Sequence, residues 1–224
     1  MVRAFLAIDL PLSLKKEVSK FIESFFKGQA KKEQDFVLRV DHKKNGRAKE
    51  EAHTQRDAQD FGRIKWVEEE NLHLTLFFFG NIADKDVEKI VKVCEKRLKE
   101  FSPFEVYLTE ISGFPKKGGY RVVFLGCEER SNTLAKLVKE LTKDFKEVGF
   151  KLEERDFHPH ITLFRLKELY DPLKYKAFVA DIAKKANIFK GRSFVVKDIV
   201  LFESKLTPTG PKYSPIKIFA LAGE

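Results

Sequence analysis

Apolar residues alternate with polar ones along some segments, which is typical of strands, and recur every three or four residues along others, which is typical of helices. Helices with one apolar stripe are predicted after four strands and are centred near residues 14–25, 87–98, 134–145 and 173–186. The predicted strands are 3–9, 72–79, 104–111, 120–126, 160–166, 194–203 and 213–221.

The order strand, helix, strand, helix, strand, strand occurs twice along the chain. The first repeat covers about residues 1–126 and the second about 120–224. Because such mixed segments pack as antiparallel sheets covered by helices, we predict an α+β fold in a single bilobal domain. We expect two pseudo-symmetric lobes, each an antiparallel sheet with helices packed on its outer face. The two lobes should face each other across a central groove.

Residues 27–63 interrupt this repeat. Charged residues are dense there, apolar ones are sparse, and residues 36–40 are the one piece with strand-like character. A connection of this length is unusual inside a compact domain. We therefore interpret 27–63 as an insertion, which is either a flap of lysines and arginines over the groove or a surface excursion without a role.

One short motif occurs in both repeats. Residues 73–75 read His-Leu-Thr and residues 160–162 read His-Ile-Thr. In a strand, the histidine and the threonine of each motif share one face, while the apolar residue between them points to the core. Two imidazoles and two hydroxyls in one cleft can carry out acid–base chemistry on a phosphodiester. The candidate site residues are therefore His73, Thr75, His160 and Thr162.

Arg165 is a further candidate because it follows the second motif closely. A guanidinium group offers a planar fork of donors that suits a phosphate. Strict alternation, however, places Arg165 on the face opposite to His160. It reaches the groove if the strand ends or bulges near Phe164, and otherwise it is a surface residue at a strand end.

A metal site is the alternative reading of the second motif. His158 and His160 are spaced as a ligand pair, and Asp156 or Glu154 could complete such a site. Near His73 no comparable pair of histidines exists in the sequence. We therefore expect no metal and no other cofactor.

The formal net charge of +9 on 224 residues favours a polyanionic partner, of which nucleic acid is the commonest inside cells. No apolar run approaches the roughly 20 residues of a membrane span. The two cysteines, Cys94 and Cys127, lie in apolar segments and are expected to be buried thiols rather than a disulfide framework. We expect a cytoplasmic monomer that does not bind membranes.

With these motifs, the chain resembles the 2H phosphoesterase superfamily and, within it, the RNA 2′,3′-cyclic phosphodiesterases first described as 2′-5′ RNA ligases. The resemblance extends nearly from end to end and includes residues that flank both motifs. The segments that carry it are residues 3–11, 66–76, 113–115, 121–126, 157–165, 204–206 and 210–213. The segment 27–63 is longer than expected for this family.

The resemblance implies that water attacks the phosphorus of a terminal RNA 2′,3′-cyclic phosphate and that the 3′ oxygen leaves, giving a 2′-phosphate end. It implies that His73 is the proton donor and His160 the proton acceptor. Both threonines and Arg165 would hold the phosphoryl oxygens, and neither ATP nor a metal is required. The residues alone do not distinguish the acid from the base, because the two motifs are symmetric.

Three alternatives remain open at this point. The same site run in reverse, with an RNA 5′-hydroxyl in place of water, would be a 2′-5′ RNA ligase. A basic groove could also hold RNA ends or cyclic nucleotides without turnover. The third alternative is a metal-dependent phosphohydrolase that uses His158 and His160.

Overall fold

The computed structural model describes residues 1–37, 58–116, 119–152, 156–208 and 210–222. Within these residues the four α-helices are α1 (Leu12–Val37), α2 (Asp84–Arg97), α3 (Thr133–Glu147) and α4 (Pro172–Lys185). The strands are β1 (Val2–Asp9), β2 (Ala58–Gln59), β3 (Gly62–Trp66), β4 (His73–Ile82), β5 (Phe104–Lys116), β6 (Gly119–Glu128), β7 (His160–Leu169), β8 (Ser193–Val196), β9 (Asp198–Thr207) and β10 (Gly210–Ala220).

The strands form one antiparallel sheet with the order β10-β9-β1-β4-β7-β6-β5-β8. Strand β3 pairs with the C-terminal part of β7, and β2 pairs with β3. We call β10-β9-β1-β4 the first lobe, and β7-β6-β5-β8 with β2 and β3 the second lobe. The first lobe is strongly curled, since Tyr213 on its edge strand β10 contacts the ring of His73 on β4.

The two lobes are joined between β4 and β7, the strands that carry the two motifs. Leu74 of β4 pairs with Ile161 of β7, and both side chains are fully buried. These are the apolar residues in the middle of the two motifs. Because side chains alternate along a strand, the histidine and threonine on either side of each project to the opposite face of the sheet.

Helices α2 and α3 cover the outer face of the first lobe. The ring of Phe145 on α3 lies 5.2 Å from that of Phe77 and 5.0 Å from that of Phe79, both on β4. The guanidinium of Arg97 on α2 donates to both carboxylate oxygens of Asp144 on α3, at 2.6 and 2.9 Å. This bidentate pair ties the two helices together above their buried apolar stripes.

Helices α1 and α4 cover the second lobe. The ring of Phe25 on α1 lies 6.3 Å from that of Trp66 on β3 and 5.9 Å from that of Phe178 on α4. Helix α4 begins with Pro172 after Asp171, whose carboxylate accepts from two backbone N–H groups of the first turn. A proline at the first position and an acidic cap before it are a strong helix start.

The predicted α+β fold, with antiparallel sheets and outer helices, is confirmed. The two lobes share a sheet edge, and each contains strands from both halves of the chain, since β5 and β6 lie in the second lobe and β9 and β10 in the first. The strand predicted over 194–203 is two strands, β8 and β9, which join different lobes on either side of Lys197. The division of the domain into two sequence repeats stays a prediction.

The segment 27–63 is only partly described. Residues 27–37 continue α1, and β2 and β3 begin at residues 58 and 62. The strand-like character predicted for residues 36–40 is therefore wrong for Phe36 and Val37, which end the helix; the lysines, glutamate and glutamine at 31–34 favour helix. Residues 38–57 lie outside the described residues, and the interpretation of 27–63 as an insertion stays a prediction.

Two expectations from composition can be compared with the fold. Cys94 and Cys127 are buried free thiols, as predicted. Burial raises the pKa of Cys94 and raises that of Cys127 to about 12, so both thiols stay protonated. Among the described helices, none has the length and apolar character that a membrane crossing requires.

The contact between Leu74 and Ile161, which joins the two lobes, should contribute to the free energy of unfolding. Ile161→Ala removes buried methyl groups at the contact of β4 with β7 and should lower the free energy of unfolding by about 2–5 kcal/mol, whereas Ile161→Val should cost about 1 kcal/mol. Urea unfolding followed by circular dichroism measures both. Val195→Ala, at a half-exposed position of β8 (51 %), is the matched control and should change stability little. An Ile161→Ala protein as stable as the control would contradict this role of the joint.

Candidate active site

His73 is held by the backbone of the residue two positions before it. Its Nδ1 lies 2.7 Å from the carbonyl oxygen of Asn71. Because a carbonyl oxygen only accepts, Nδ1 carries the proton and donates it. Nε2 is therefore the acceptor nitrogen of the neutral ring, and it lies 2.9 Å from Oγ1 of Thr75. The threonine of the first motif thus touches the nitrogen that would exchange protons with a substrate.

His160 is held in the same way. Its Nδ1 donates to the carbonyl oxygen of His158 at 2.6 Å, which leaves Nε2 as the acceptor nitrogen of the neutral ring. Thr162 pairs with Phe124 of β6 and shares the face of His160. The two motifs therefore present the same tautomer and the same atoms to one side of the joint.

Aromatic rings surround both imidazoles. Phe5 and Tyr213 lie 4.9 and 5.3 Å from the ring of His73, measured between centroids. Phe124 and Phe114 lie 4.8 and 5.1 Å from the ring of His160. These rings remove water from the sides of each imidazole.

Burial therefore controls the protonation of both histidines. Burial lowers the pKa of His73 to about 4, against the opposing effects of the Asn71 carbonyl and the Asp9 carboxylate. Burial also lowers the pKa of His160 below its usual 6.5. The charge on His160 disfavours a proton on His73, so the two rings are close enough to influence each other. Both imidazoles are neutral at pH 7 in the free protein.

Arg165 reaches the groove because β7 bulges. The register of β7 against β6 skips Leu163 between Thr162 and Phe164. Leu163 and Phe164 are consecutive and both buried, and Arg165 is exposed. The extra residue reverses the alternation, so the arginine returns to the face of the motif. This is the bulge near Phe164 on which the sequence-based prediction depended.

Phe78 is a groove residue that the sequence analysis missed. The register of β1 against β4 skips Leu76 between Thr75 and Phe77, which is the bulge of β7 repeated on β4. Phe78 thus occupies on the first lobe the place that Arg165 has on the second. Its side chain is 65 % exposed. The spacing in the sequence could have indicated this position, because Phe78 and Arg165 are each the fifth residue after their motif histidine.

Asn71 lies within residues 66–76, one of the segments that carry the family resemblance, and its side chain contacts the C-terminal hairpin. Its Nδ2 donates to the carbonyl oxygen of Pro211 at 2.9 Å, while its own carbonyl holds His73. Asn71 is buried, so the bond is shielded from water. The contact ties the start of β4 to the β9–β10 hairpin and keeps Tyr213 beside the imidazole.

The alternative metal site can be compared with the described side chains. Among these residues no group of three histidine, cysteine, aspartate or glutamate side chains lies close enough to hold a metal ion. Glu154, which the alternative invoked, lies outside the described residues. The backbone carbonyl oxygen of His158 accepts a hydrogen bond from Nδ1 of His160.

Comparisons with known proteins identify the family of the chain. A sequence profile of the 2′-5′ RNA ligase superfamily matches residues 47–205. The chain belongs to this superfamily. The family predicted from the two motifs and their flanking residues is therefore confirmed.

Individual relatives agree with this assignment. The RNA 2′,3′-cyclic phosphodiesterase of Methanothermobacter thermautotrophicus is 32% identical over 98% of this chain and 99% of its own. That of Methanocaldococcus jannaschii is 32% identical over 96% and 99%. A Thermus thermophilus crystal structure has a TM-score of 0.64 at 22% identity over 99% of both chains. Escherichia coli LigT complexed with 3′-AMP has a TM-score of 0.59 at 21% identity over 98% of both chains. At these identities the solved structures show a shared fold.

The buried imidazoles generate a prediction about protons. An anion bound beside His73 favours its cationic form, so inorganic phosphate should raise the pKa of His73 from its value of about 4 in the free protein. Titration of the His73 ring protons by NMR, with and without phosphate, measures this shift directly.

Calorimetry provides an independent measurement. Phosphate binding at pH 6 should take up protons, which appears as a binding enthalpy that depends on the ionisation enthalpy of the buffer. His73→Asn should reduce this uptake, while Lys139→Ala, an exposed change on α3, should leave it as in the wild type. Phosphate that binds without moving the pKa of either histidine would contradict the prediction.

Proposed function

We propose that the protein hydrolyses terminal RNA 2′,3′-cyclic phosphates to 2′-phosphate ends by acid–base catalysis with two histidines, without a metal or another cofactor. The observation that carries the proposal is the pair of Nε2 atoms presented by β4 and β7 to one groove face. The hydroxyl of Thr75 lies 2.9 Å from Nε2 of His73, and Thr162 shares the face of His160. Curated relatives that are 32% identical over almost the whole chain bear the name of this activity.

Each histidine handles one proton in the proposed reaction. His160 accepts a proton from the attacking water as the new P–O bond forms. His73 donates a proton to the 3′ oxygen as the P–O3′ bond breaks, and exchange with solvent restores both rings. The assignment of donor and acceptor follows the family resemblance, and no covalent intermediate with the protein is needed.

His73 must therefore take up its proton when the substrate binds. His73 is neutral in the free protein at pH 7 because it is buried, whereas a proton donor must start as the cation. The phosphate anion supplies the stabilising charge, and the carboxylate of Asp9, which Lys15 holds at 2.6 Å, acts in the same direction. A protonated His73 is thus formed mainly in the complex, where it is used.

Three further side chains bind the phosphoryl group in this proposal. The hydroxyls of Thr75 and Thr162 lie on the motif face beside the two imidazoles, and the guanidinium of Arg165 is brought there by the bulge in β7. Hydrogen bonds to the non-bridging oxygens stabilise the charge that builds up as phosphorus becomes five-coordinate. The planar guanidinium can bind two of these oxygens at once.

The nucleoside would lie against the first lobe. Phe78 is exposed on the groove face, its ring centroid is 5.9 Å from that of Phe5, and Phe5 is adjacent to His73. An exposed aromatic ring at this place offers a stacking surface for a base. The complex of Escherichia coli LigT with 3′-AMP supports a nucleoside monophosphate as an occupant of this fold. Binding of RNA ends, a monomeric state and a cytoplasmic location remain predictions for this chain.

A 2′-5′ RNA ligase is the second candidate function. The superfamily name supports it, and the same residues would serve if an RNA 5′-hydroxyl replaced water and the reaction ran in reverse. Hydrolysis is the primary proposal because water is present at far higher concentration than RNA ends. Non-catalytic binding of RNA ends would give no role to the two acceptor nitrogens of the motif histidines.

The central experiment is incubation of the protein with an oligonucleotide ending in a 2′,3′-cyclic phosphate, in the presence of EDTA. We expect complete conversion to a 2′-phosphate end, identified by its resistance to enzymes that act on 3′-phosphates. His73→Ala and His160→Ala should each remove nearly all turnover, and the double variant should be little worse, because acid and base act as one unit. The kcat/KM should fall as pH rises above the lowered imidazole pKa values.

Lys139→Ala, on the outer surface of α3, is the control and should turn over substrate at the wild-type rate. Loss of activity in EDTA that zinc or manganese restores would favour the metal-dependent alternative. A single histidine variant with wild-type turnover would exclude the two-histidine mechanism.

Phe78 generates a separate prediction. Phe78→Ala should raise KM for an adenine substrate roughly 10-fold, since base–aromatic stacking contributes about 1–3 kcal/mol, while kcat falls less. Phe78→Leu keeps apolar area without the π-face and should resemble Phe78→Ala, whereas Phe78→Tyr should resemble the wild type. Equal KM values for all four proteins would show that the base does not lie on Phe78.

A further inference from the structure

Lys15 is the one charged residue that is buried in the described part of the chain. It lies in the first turn of α1, where its neighbour Lys16 is exposed. Burying an ammonium group costs free energy unless the group is paired and hydrogen-bonded. A leucine or methionine at this position would fill similar space without that cost. The charge of Lys15 therefore needs an explanation other than packing.

Lys15 is bonded to two chain segments next to His73. Its Nζ lies 2.6 Å from Oδ1 of Asp9 at the end of β1 and 3.4 Å from the carbonyl oxygen of Glu70. Glu70 directly precedes Asn71, whose own carbonyl oxygen accepts from Nδ1 of His73. The ammonium group therefore holds both a carboxylate and the backbone segment that orients the imidazole.

Asp9 lies on the same face of the sheet as His73. The two residues are directly paired in the register of β1 against β4, and the Cβ atoms of such a pair lie roughly 4.5–5.5 Å apart on one face. Both ring nitrogens of His73 already have partners, Asn71 and Thr75. Asp9 therefore acts on the ring through its charge rather than through a hydrogen bond.

The other titratable groups that face His73 are neutral at pH 7. The charge of Asp9 favours the protonated ring, whereas the charges of Lys15 and of His160 on β7 disfavour it. His160 is neutral in the free protein because burial lowers its pKa. Tyr213 of β10 contacts the ring, and burial raises the pKa of its phenol. The carboxylate–ammonium pair is thus the source of charge that acts on the ring at pH 7.

We propose that Asp9 and Lys15 form a positioning pair for the proton donor: Asp9 places a negative charge beside His73, and Lys15 weakens its effect, so that the ring takes up its proton when substrate binds. This inference rests on the proposed function and identifies two residues that act on its site through His73. Without the ammonium group, the carboxylate would favour a protonated ring already in the free protein and would repel the incoming phosphate. With it, the phosphate anion provides the larger stabilising charge.

The test is a pair of substitutions with opposite effects on one pKa. Asp9→Asn keeps the oxygen that accepts from Lys15 and from the N–H of Leu10. It removes the negative charge, so the pKa of His73 should fall. Lys15→Met keeps an unbranched apolar stem and removes the positive charge, so the pKa of His73 should rise. We expect each change to be roughly 0.5–2 pH units. NMR titration of the His73 ring protons, with inorganic phosphate bound, measures both.

Turnover of the oligonucleotide with a 2′,3′-cyclic phosphate end is the second measurement. The pH above which kcat/KM falls should move down in Asp9→Asn and up in Lys15→Met, together with the pKa of His73. The double variant removes both charges and should return toward the wild-type pH profile, whereas two independent structural defects would add. Asp9→Glu keeps the negative charge and should retain a pH profile closer to the wild type than that of Asp9→Asn.

Two matched controls lie next to the pair. Lys16→Met makes the same change at the exposed neighbour on α1. Asp198→Asn removes a carboxylate that lines the same cavity of about 290 Å³ as Asp9 and that does not act on His73. Both control proteins should keep the wild-type pKa of His73 and the wild-type pH profile.

The outcomes separate the pair from the proposed function. Equal-sign changes of the His73 pKa in Asp9→Asn and Lys15→Met, or no change in either, would overturn the pair while turnover by the wild-type protein leaves the proposed function intact. If Lys15→Met does not fold, an unchanged His73 pKa in Asp9→Asn is sufficient to contradict the pair. Absence of turnover by the wild-type protein would instead overturn the proposed function and, with it, the role of the pair in proton donation.

Discussion

The pairing of Leu74 with Ile161 is the contact on which the active-site geometry depends. It joins two half-sheets, each with its own pair of helices, at the two residues that separate histidine from threonine in the motifs. Because both residues are completely buried, neither strand can rotate without exposing an apolar side chain. The orientation of both imidazoles is therefore set by the packing of a hydrophobic core rather than by a loop, which holds the two side chains rigidly.

Two bulges then place different side chains on this symmetric frame. Each bulge follows its motif at the same distance and returns the fifth residue after the histidine to the groove face. On one lobe that residue is Phe78 and on the other it is Arg165. The backbone geometry of the two bulges is equivalent, but their side chains differ. One lobe presents an aromatic ring and the other a guanidinium group. A nucleotide has the same two ends, a base and a phosphate.

The local sequence pattern predicted much of this arrangement. It did not predict the features that depend on pairing between strands that are distant in the sequence. The faces of His73 and His160 followed from strand alternation, which needs only neighbouring residues. The position of Arg165 depended on a bulge opposite β6, and the groove position of Phe78 on one opposite β1; neither partner strand is adjacent in sequence. Lys197 divides a continuous apolar pattern into strands of two lobes for the same reason.

The carbonyl groups behind the two histidines limit what the site can react with. In many hydrolases a carboxylate backs the histidine and strengthens it as a base. Here the hidden nitrogens face the uncharged carbonyls of Asn71 and His158, and burial weakens both rings further. Such imidazoles are weak bases, which would suffice, under the proposed function, for a five-membered phosphate ring that opens with relief of strain. An unstrained internucleotide linkage would need a stronger base. Under the proposed function, the protein would therefore open the terminal cyclic phosphate of an RNA and leave the internucleotide linkages of the same RNA intact.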